Sequence, residues 1–565
     1  MTPHAPTRRQ LLAAAAALGV GTTPFHRALA AAAQKADAPG TVTPEMVAGA
    51  EWVAGVKLTE EQRKAVAGGM TQWLRNFAEL HKLDVPNSVA PALHFVPNPG
   101  EAPAAAGRGT VAPPKVAVAK PDAAEDLAFL PLTHLAELVR TKRVSSTELT
   151  KLSLERLQKY DPALKCVVTL TEELALKQAA EADKEIAAGK YRGPLHGVPW
   201  VAKDLVAYPG FKTTWGAAHY KDQTIDGKAT VATKLDEAGA VLVAKTTLGA
   251  LANGDEWFGG RTNNPWDVKL GSSGSSAGTS AAVSAGLVPY GIGSETLGSI
   301  VSPCTRCRVT GLRPTFGRVS RAGCMALSWS MDKIGPIART VEDCALVFGA
   351  IHGADGKDAT AVTRPFAWPC KRDLKDLRVG VVEGRAGAPS AEDRKVLESL
   401  GVRLVPITLP TKLPVQALQF ILSVEASAAF DDITRAGTLD EIGRSWPATF
   451  RRGRFVPAVE YLRAQRVRTL LMQEMAKVME TVDLYVHSGY GELLTSNLTG
   501  HPTVVVPNGQ PGGAAKGGQM VPFLFVGRLW GEAEALAVAK AYQDATGHHT
   551  KRPPLEKLAE NGEKK

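Results

Sequence analysis

The chain has 565 residues, 44% hydrophobic and 22% charged, with 54 glycines, 37 prolines and six cysteines. That is ordinary globular composition, and it excludes disorder, collagen, coiled coil and a disulfide scaffold. The formal net charge is +10, but Arg8, Arg9 and Arg27 supply three of those charges and the other cations are scattered among 56 acidic residues, which marks a solvated surface rather than a nucleic-acid-binding stripe.

The first element in chain order is an address. Arg8-Arg9 stands directly before an Ala/Leu-rich run at 11–20, and Ala28-Leu29-Ala30 offers a small-x-small exit. Basic start, short apolar centre and small-residue exit predict a signal peptide over 1–30, and the paired arginines point to the Tat route and a periplasmic or extracellular destination. No apolar run reaches the roughly 20 residues a membrane-spanning helix needs, so no stable membrane insertion is expected.

Residues 31–100 read as a helical N-terminal extension. Thr43-Pro44-Glu45 has the form of a cap followed by proline, and Trp52, Val53, Leu58, Val66, Trp73, Leu74, Phe77 and Leu80 recur at helical spacing. Residues 101–126 are Pro/Ala-rich and read as a linker. The main domain, 127–565, opens with helices predicted from Leu132, from the cap Ser145 with Glu148 behind it, and over 171–189. Apolar strands are then predicted at 198–202, 240–244, 288–292, 377–382, 402–407, 484–487 and 503–506. Strands alternating with helices predict an α/β fold, a large mixed sheet wrapped by helices on both faces.

The chemistry concentrates between 197 and 317. Lys203 ends an apolar strand, Gly197-Val198-Pro199-Trp200-Val201-Ala202-Lys203-Asp204. A Gly/Ser loop, Gly271-Ser272-Ser273-Gly274-Ser275-Ser276-Ala277-Gly278, and a second segment, Gly293-Ser294-Glu295-Thr296-Leu297-Gly298-Ser299-Ile300, let backbone approach a ligand closely. Gly274-Ser275-Ser276-Ala277-Gly278 also fits the G-x-S-x-G nucleophile elbow, but the residues before it include Pro265, Asp267 and Lys269, a poor buried strand. Cys304-Thr305-Arg306-Cys307 lacks a second Cys or His pair at metal-ligand spacing and reads as buried structural thiols.

Together these stretches resemble the amidase signature family, whose members include bacterial amidases, fatty-acid amide hydrolase and the glutaminase subunit of tRNA amidotransferases. The 24-residue step from Ser275 to Ser299 matches the family's spacing, and 309–320, 332–343 and Asn497-Leu498-Thr499-Gly500-His501-Pro502 are similar to family text. The resemblance implies a Ser–Ser–Lys triad: Ser299 as nucleophile, Ser275 as bridging serine and Lys203 as base, with Ser276 in support. It also implies a cis Gly274–Ser275 bond and an oxyanion hole built from the N–H groups of Thr296, Leu297, Gly298 and Ser299. A serine hydroxyl needs such a base, and lysine serves only when burial keeps it neutral. No metal or cofactor is called for. The expected partner is a small-molecule amide, not nucleic acid.

The sequence departs from the pattern at Leu297, Glu295 and Val301, and also at Thr247 and Ala250, which differ from the family's Lys-Thr-Asn-x-x-Glu segment at Lys245-Thr246. Leu297 replaces a glycine, Glu295 replaces the usual aspartate, and Val301 stands where glutamine-handling relatives carry arginine. Trp215, Trp257 and Phe258 are candidate substrate-pocket walls, and aromatics in such places serve as core equally often. The reading is an exported amidohydrolase of linear carboxamides. The alternatives are a subunit of a tRNA-dependent amidotransferase and a catalytically degenerate binding protein on the same fold.

Overall fold

The computed structural model describes residues 41–83, 85, 93, 107–382, 387–442, 446–509 and 520–556. The proposed signal peptide, residues 31–40 of the extension and residues 101–106 of the linker lie outside the described residues. The chain divides into two units: residues 92–415 with 468–565, and residues 1–91 with 416–467.

The larger unit is built on a sheet. Its strands and hairpins, in chain order, are β1 (Val167–Leu170), β2 (Pro199–Lys203), β3 (Val241–Thr246), β4 (Glu256–Trp257), β5 (Gly260–Arg261), β6 (Asn263–Asn264) and β7 (Asp267–Gly271). They continue with β8 (Tyr290–Glu295), β9 (Thr310–Arg313), β10 (Lys333–Ala338), β11 (Arg378–Val382), β12 (Arg403–Ile407), β13 (Leu484–Ser488), β14 (Thr503–Val506) and β15 (Phe523–Gly527). Eleven of them form one mixed sheet in the order β1-β3-β2-β8-β10-β9-β14-β15-β13-β11-β12; β4 pairs with β5 and β6 with β7 outside it. All seven predicted strands are present in this sheet, together with β1, β9, β10 and β15.

Strand β2 is buried at every position because it runs parallel to both β3 and β8, which puts neighbours on both edges. Its register pairs Trp200 with Tyr290 and Ala202 with Ile292. Parallel neighbours bring their carboxyl ends to the same edge of the sheet, so Lys203 at the end of β2 arrives beside the end of β8. The helix Ala277–Ser284 can lie against β2, β3, β8 and β10 because it is made of Ala, Gly, Ser, Thr and Val alone, all buried. Ser145 caps the helix Ser146–Leu164 by accepting the Glu148 N–H at 2.9 Å, as the sequence predicts. The expected linker is docked where it is described: Ala112 N–H donates to Trp368 O, and Arg108 donates to the carbonyls of Ala350 and His352.

In the smaller unit, the helices Pro44–Ala54 and Glu60–His81 begin at Thr43 and Thr59. Thr59 forms a reciprocal capping box with Gln62. Val66, Met70, Trp73, Phe77 and Leu80 make the buried stripe of the second helix, and Phe77 meets Phe420 edge-on with ring centroids 5.1 Å apart. A stack of Trp446, Phe450 and Phe430 extends this core. Nothing in the sequence marks 416–467 as joining the N-terminal helices.

Candidate active site

Lys203 is fully buried, and its amine donates to Ser275 Oγ at 2.7 Å, Ser294 Oγ at 2.9 Å, Ser276 Oγ at 3.2 Å and the Ser294 carbonyl at 3.3 Å. Every atom it touches is a neutral oxygen. Burial draws the amine down to about 7, against the opposite pull of the Asp332 and Glu295 charges. A neutral amine is therefore accessible near pH 7, as a general base requires. The sequence alone gives Ser294 no role; the signal is its place on β8, one residue before the strand's end and beside β2.

The loop that carries Ser275 is set by close backbone approach. A Cβ added at Gly274 would lie 1.9 Å from Gly254 O, so only glycine fits there. Ser273 has φ +61°, and its N–H donates to Asp255 Oδ2 at 2.9 Å. The Gly274–Ser275 bond is cis. Ser275 is 1% exposed. Ser276 donates its N–H to Ser299 O at 3.0 Å, accepts the Ser294 N–H and donates its hydroxyl to Ser294 O. Ser276 thus ties together the lysine, the end of β8 and the backbone of Ser299.

Glu295 organises the second loop. Its carboxylate accepts the N–H groups of Ile300 and Val301 at 2.9 and 3.0 Å, Arg313 at 2.7 Å and Asn497 Nδ2 at 2.9 Å. Burial pushes the carboxyl up, but Arg313 and these donors outweigh it and hold it at about 2. With residues 300 and 301 pinned to Glu295, the N–H groups of Thr296, Leu297, Gly298 and Ser299 are left without an acceptor among the described residues. Thr296 Oγ1 donates to Asp332 at 2.6 Å, and Asp332 also accepts from the Leu327 and Ser328 backbone. Gly298 takes the left-handed conformation (φ +83°) while Leu297 does not, so the leucine adds its N–H without strain. Ser299 is partly exposed, and its hydroxyl has no hydrogen-bond partner among the described residues.

The structure brings the candidate aromatic walls to this edge of the sheet. Trp215 N–H donates to Asp204 O, next to Lys203, and its ring packs 4.7 Å from Tyr220. Trp257 and Phe258 sit on the β4–β5 hairpin, 4.8 Å apart, with Phe258 N–H bonded to Gly216 O. Gly254 and Asp255, which touch the Gly274 loop, immediately precede that hairpin.

A family model described as Amidase matches residues 148–488. The chain belongs to the amidase family. It is 34% identical over 492 residues to a glutamyl-tRNA(Gln) amidotransferase subunit from Carboxydothermus hydrogenoformans, covering 76% of this chain and all of that one. Among solved structures it resembles native peptide amidase from Stenotrophomonas maltophilia, with 28% identity, a TM-score of 0.65 and coverage of 75% of this chain and 98% of that chain. It also resembles an amidase family protein from Bacillus anthracis, with 26% identity, a TM-score of 0.66 and coverage of 76% and 93%. The mixed α/β sheet and the amidase resemblance read from the sequence both stand.

The elbow motif gains nothing from the structure. β7, which leads toward it, pairs only with β6 outside the main sheet, and Ser276 is fully buried under Lys203. The six cysteines are unpaired thiols, and burial pushes those of Cys304 and Cys307 up.

Proposed function

We propose that this amidase cleaves a carboxamide C–N bond through an acyl-enzyme on Ser299, with Ser275 passing the proton to Lys203. The observation that carries the reading is the amine of Lys203, buried, drawn to about 7 and 2.7 Å from Ser275 Oγ. Neutral Lys203 takes the Ser275 hydroxyl proton as Ser275 takes that of Ser299, and Ser299 Oγ adds to the carbonyl carbon. The oxyanion that forms meets the free N–H groups of 296–299, where each donor contributes about 3 kcal/mol. The proton returns through Ser275 to the nitrogen, the C–N bond breaks and the amine leaves. Water then adds to the acyl-enzyme, gives its proton to the same relay and releases the acid, restoring Ser299. The proposed relay requires the Ser299 hydroxyl to reach Ser275 when substrate binds, as catalytic hydrogen bonds tighten on binding. A fluorophosphonate tests this directly: it labels Ser299, and Ser299→Ala abolishes labelling and turnover. A Ser299→Ala protein with full activity removes the proposal.

A second reading has its own support. The amidotransferase relative from Carboxydothermus hydrogenoformans is matched over its whole length, so a partner-bound glutaminase is the alternative function. Val301, in place of the arginine that glutamine-handling relatives carry, weighs toward a different amide. Ammonia release from glutamine, with partner proteins co-purifying, would favour this second reading. Export is also proposed, on Arg8-Arg9 and the apolar run that follows. Replacing both arginines with lysine retains the protein in the cytoplasm if the Tat route is used. A degenerate binding protein is the least supported reading, since both substitutions behind it, Leu297 and Glu295, fit the loop without strain or unpaired charge.

A further inference from the structure

Beyond the proposed triad, the helix Val301–Cys307 carries Arg306, whose guanidinium pairs with no carboxylate among the described residues. The Arg306 guanidinium makes no hydrogen bond and no ion pair with any described residue, yet the residue is only partly exposed and its Nε is buried without an acceptor. A buried donor without a partner is costly, and the cost is recovered when an acceptor binds. The helix around it is rich in hydroxyls. Ser302, one turn before Arg306, shares a 2.7 Å hydrogen bond with Ser273 of the serine loop. Tyr490 lies over the same helix: burial raises its phenol, and the Ser302 and Thr305 hydroxyls and the Arg306 charge act on it in the opposite sense. The turn that follows Tyr490 reaches the candidate oxyanion loop, since Leu493 N–H donates to Tyr490 O and Leu493 Cδ1 lies 3.5 Å from where a Gly298 Cβ would stand. Asp255, the carboxylate on this side, accepts the Ser273 N–H and forms no ion pair with Arg306.

Resting on the proposed Ser299 chemistry, we infer that Arg306, with Tyr490 and Ser302, forms a subsite for a carboxylate carried by the substrate. A planar guanidinium fork matches a carboxylate bidentately, and one cation with the Asp255 carboxylate on the same side favours a single negative charge over a phosphate dianion. Seven residues of largely helical chain place the Arg306 backbone on the order of 10 Å from Ser299. The carboxylate therefore lies several methylenes from the scissile amide, and the substrate class is a long-chain amide with a free acid at its far end. Arg306 acts as a specificity-determining residue.

The test compares the monoamide of suberic acid with octanamide. Wild type prefers the acid by about tenfold or more in kcat/KM. Arg306→Met brings that ratio to near one, mainly through KM, and Arg306→Lys keeps part of it. Suberate alone raises the thermal midpoint of the wild type and not of Arg306→Met. A wild-type ratio near one, or a ratio unchanged in Arg306→Met, overturns the inference. If neither amide is turned over and no fluorophosphonate labels Ser299, the proposed chemistry fails instead. The suberate shift, present or absent, then still decides whether the anion subsite exists.

Discussion

Lys203 and Lys245 stand on adjacent parallel strands, with Ala202 and Lys245 in register, and both are fully buried. Their partners differ. Lys245 forms an ion pair with Asp204 at 2.6 Å and donates to Thr213 Oγ1 and Lys212 O, each at 2.6 Å. Burial draws its amine down, and the Asp204 carboxylate pulls it back up. Lys203 contacts only hydroxyls and a carbonyl, so the carboxylates that oppose burial, Asp332 and Glu295, act on it without touching it. A lysine paired with a carboxylate ties β3 to the chain after β2. One desolvated among serines is suited to the proposed role of base. Burial without a contacting carboxylate is what the proposed base role of Lys203 requires, and Lys245 does not meet that condition.

That contrast is most exposed to removal of the groups it places in the reaction. Ser299→Ala lowers kcat by up to about 10⁶-fold, and Lys203→Met by about 10²–10⁴-fold, while both variants keep a thermal midpoint near that of the wild type. Lys245→Met does the reverse in kind. It strands Asp204 as a buried unpaired carboxylate and costs about 3–5 kcal/mol of stability, read as a lower denaturant midpoint. Should Lys203→Met unfold the protein while Lys245→Met merely slows it, the two roles have been exchanged.

Smaller changes refine the account of the same edge of the sheet. Leu297→Gly opens room beside the nucleophile without touching the relay, so bulky acyl groups gain a few-fold in kcat/KM relative to acetamide, on the order of 1 kcal/mol. Thr59→Ala, far along the chain in the other unit, removes a helix cap and costs about 1 kcal/mol with unchanged kinetics.

Much of the fold was legible because apolar runs bounded by Gly and Pro mark buried strands well. β10 escaped because Lys333, Gly335 and Pro336 contradict strand composition, and β9 because it carries Gly311 and Arg313. Both strands are central, and pairing on both sides overrides what their residues prefer alone. β1 has four residues, all half-buried, too short for a period to show. At the candidate site, the convergence of Lys203, Ser275, Ser276 and the Ser299 backbone was legible through motif and spacing. Ser294, Asp332, Arg313 and Asn497 were not, because sheet register and the helix Leu493–Thr499, rather than any sequence spacing, bring them to Lys203, Thr296 and Glu295. The joining of 416–467 to the N-terminal helices is likewise a long-range pairing with no local signature.

The claim on which the rest depends is that Lys203 works as a neutral amine. The second-order rate of fluorophosphonate labelling at Ser299, measured across pH, tests it most directly. A base must be unprotonated, so the rate rises with pH through about 7 and levels above it in the wild type. In Lys203→Met the rise is gone and the plateau is lower. A profile that is flat across this range, or a Lys203→Met protein labelled as fast as the wild type, contradicts it.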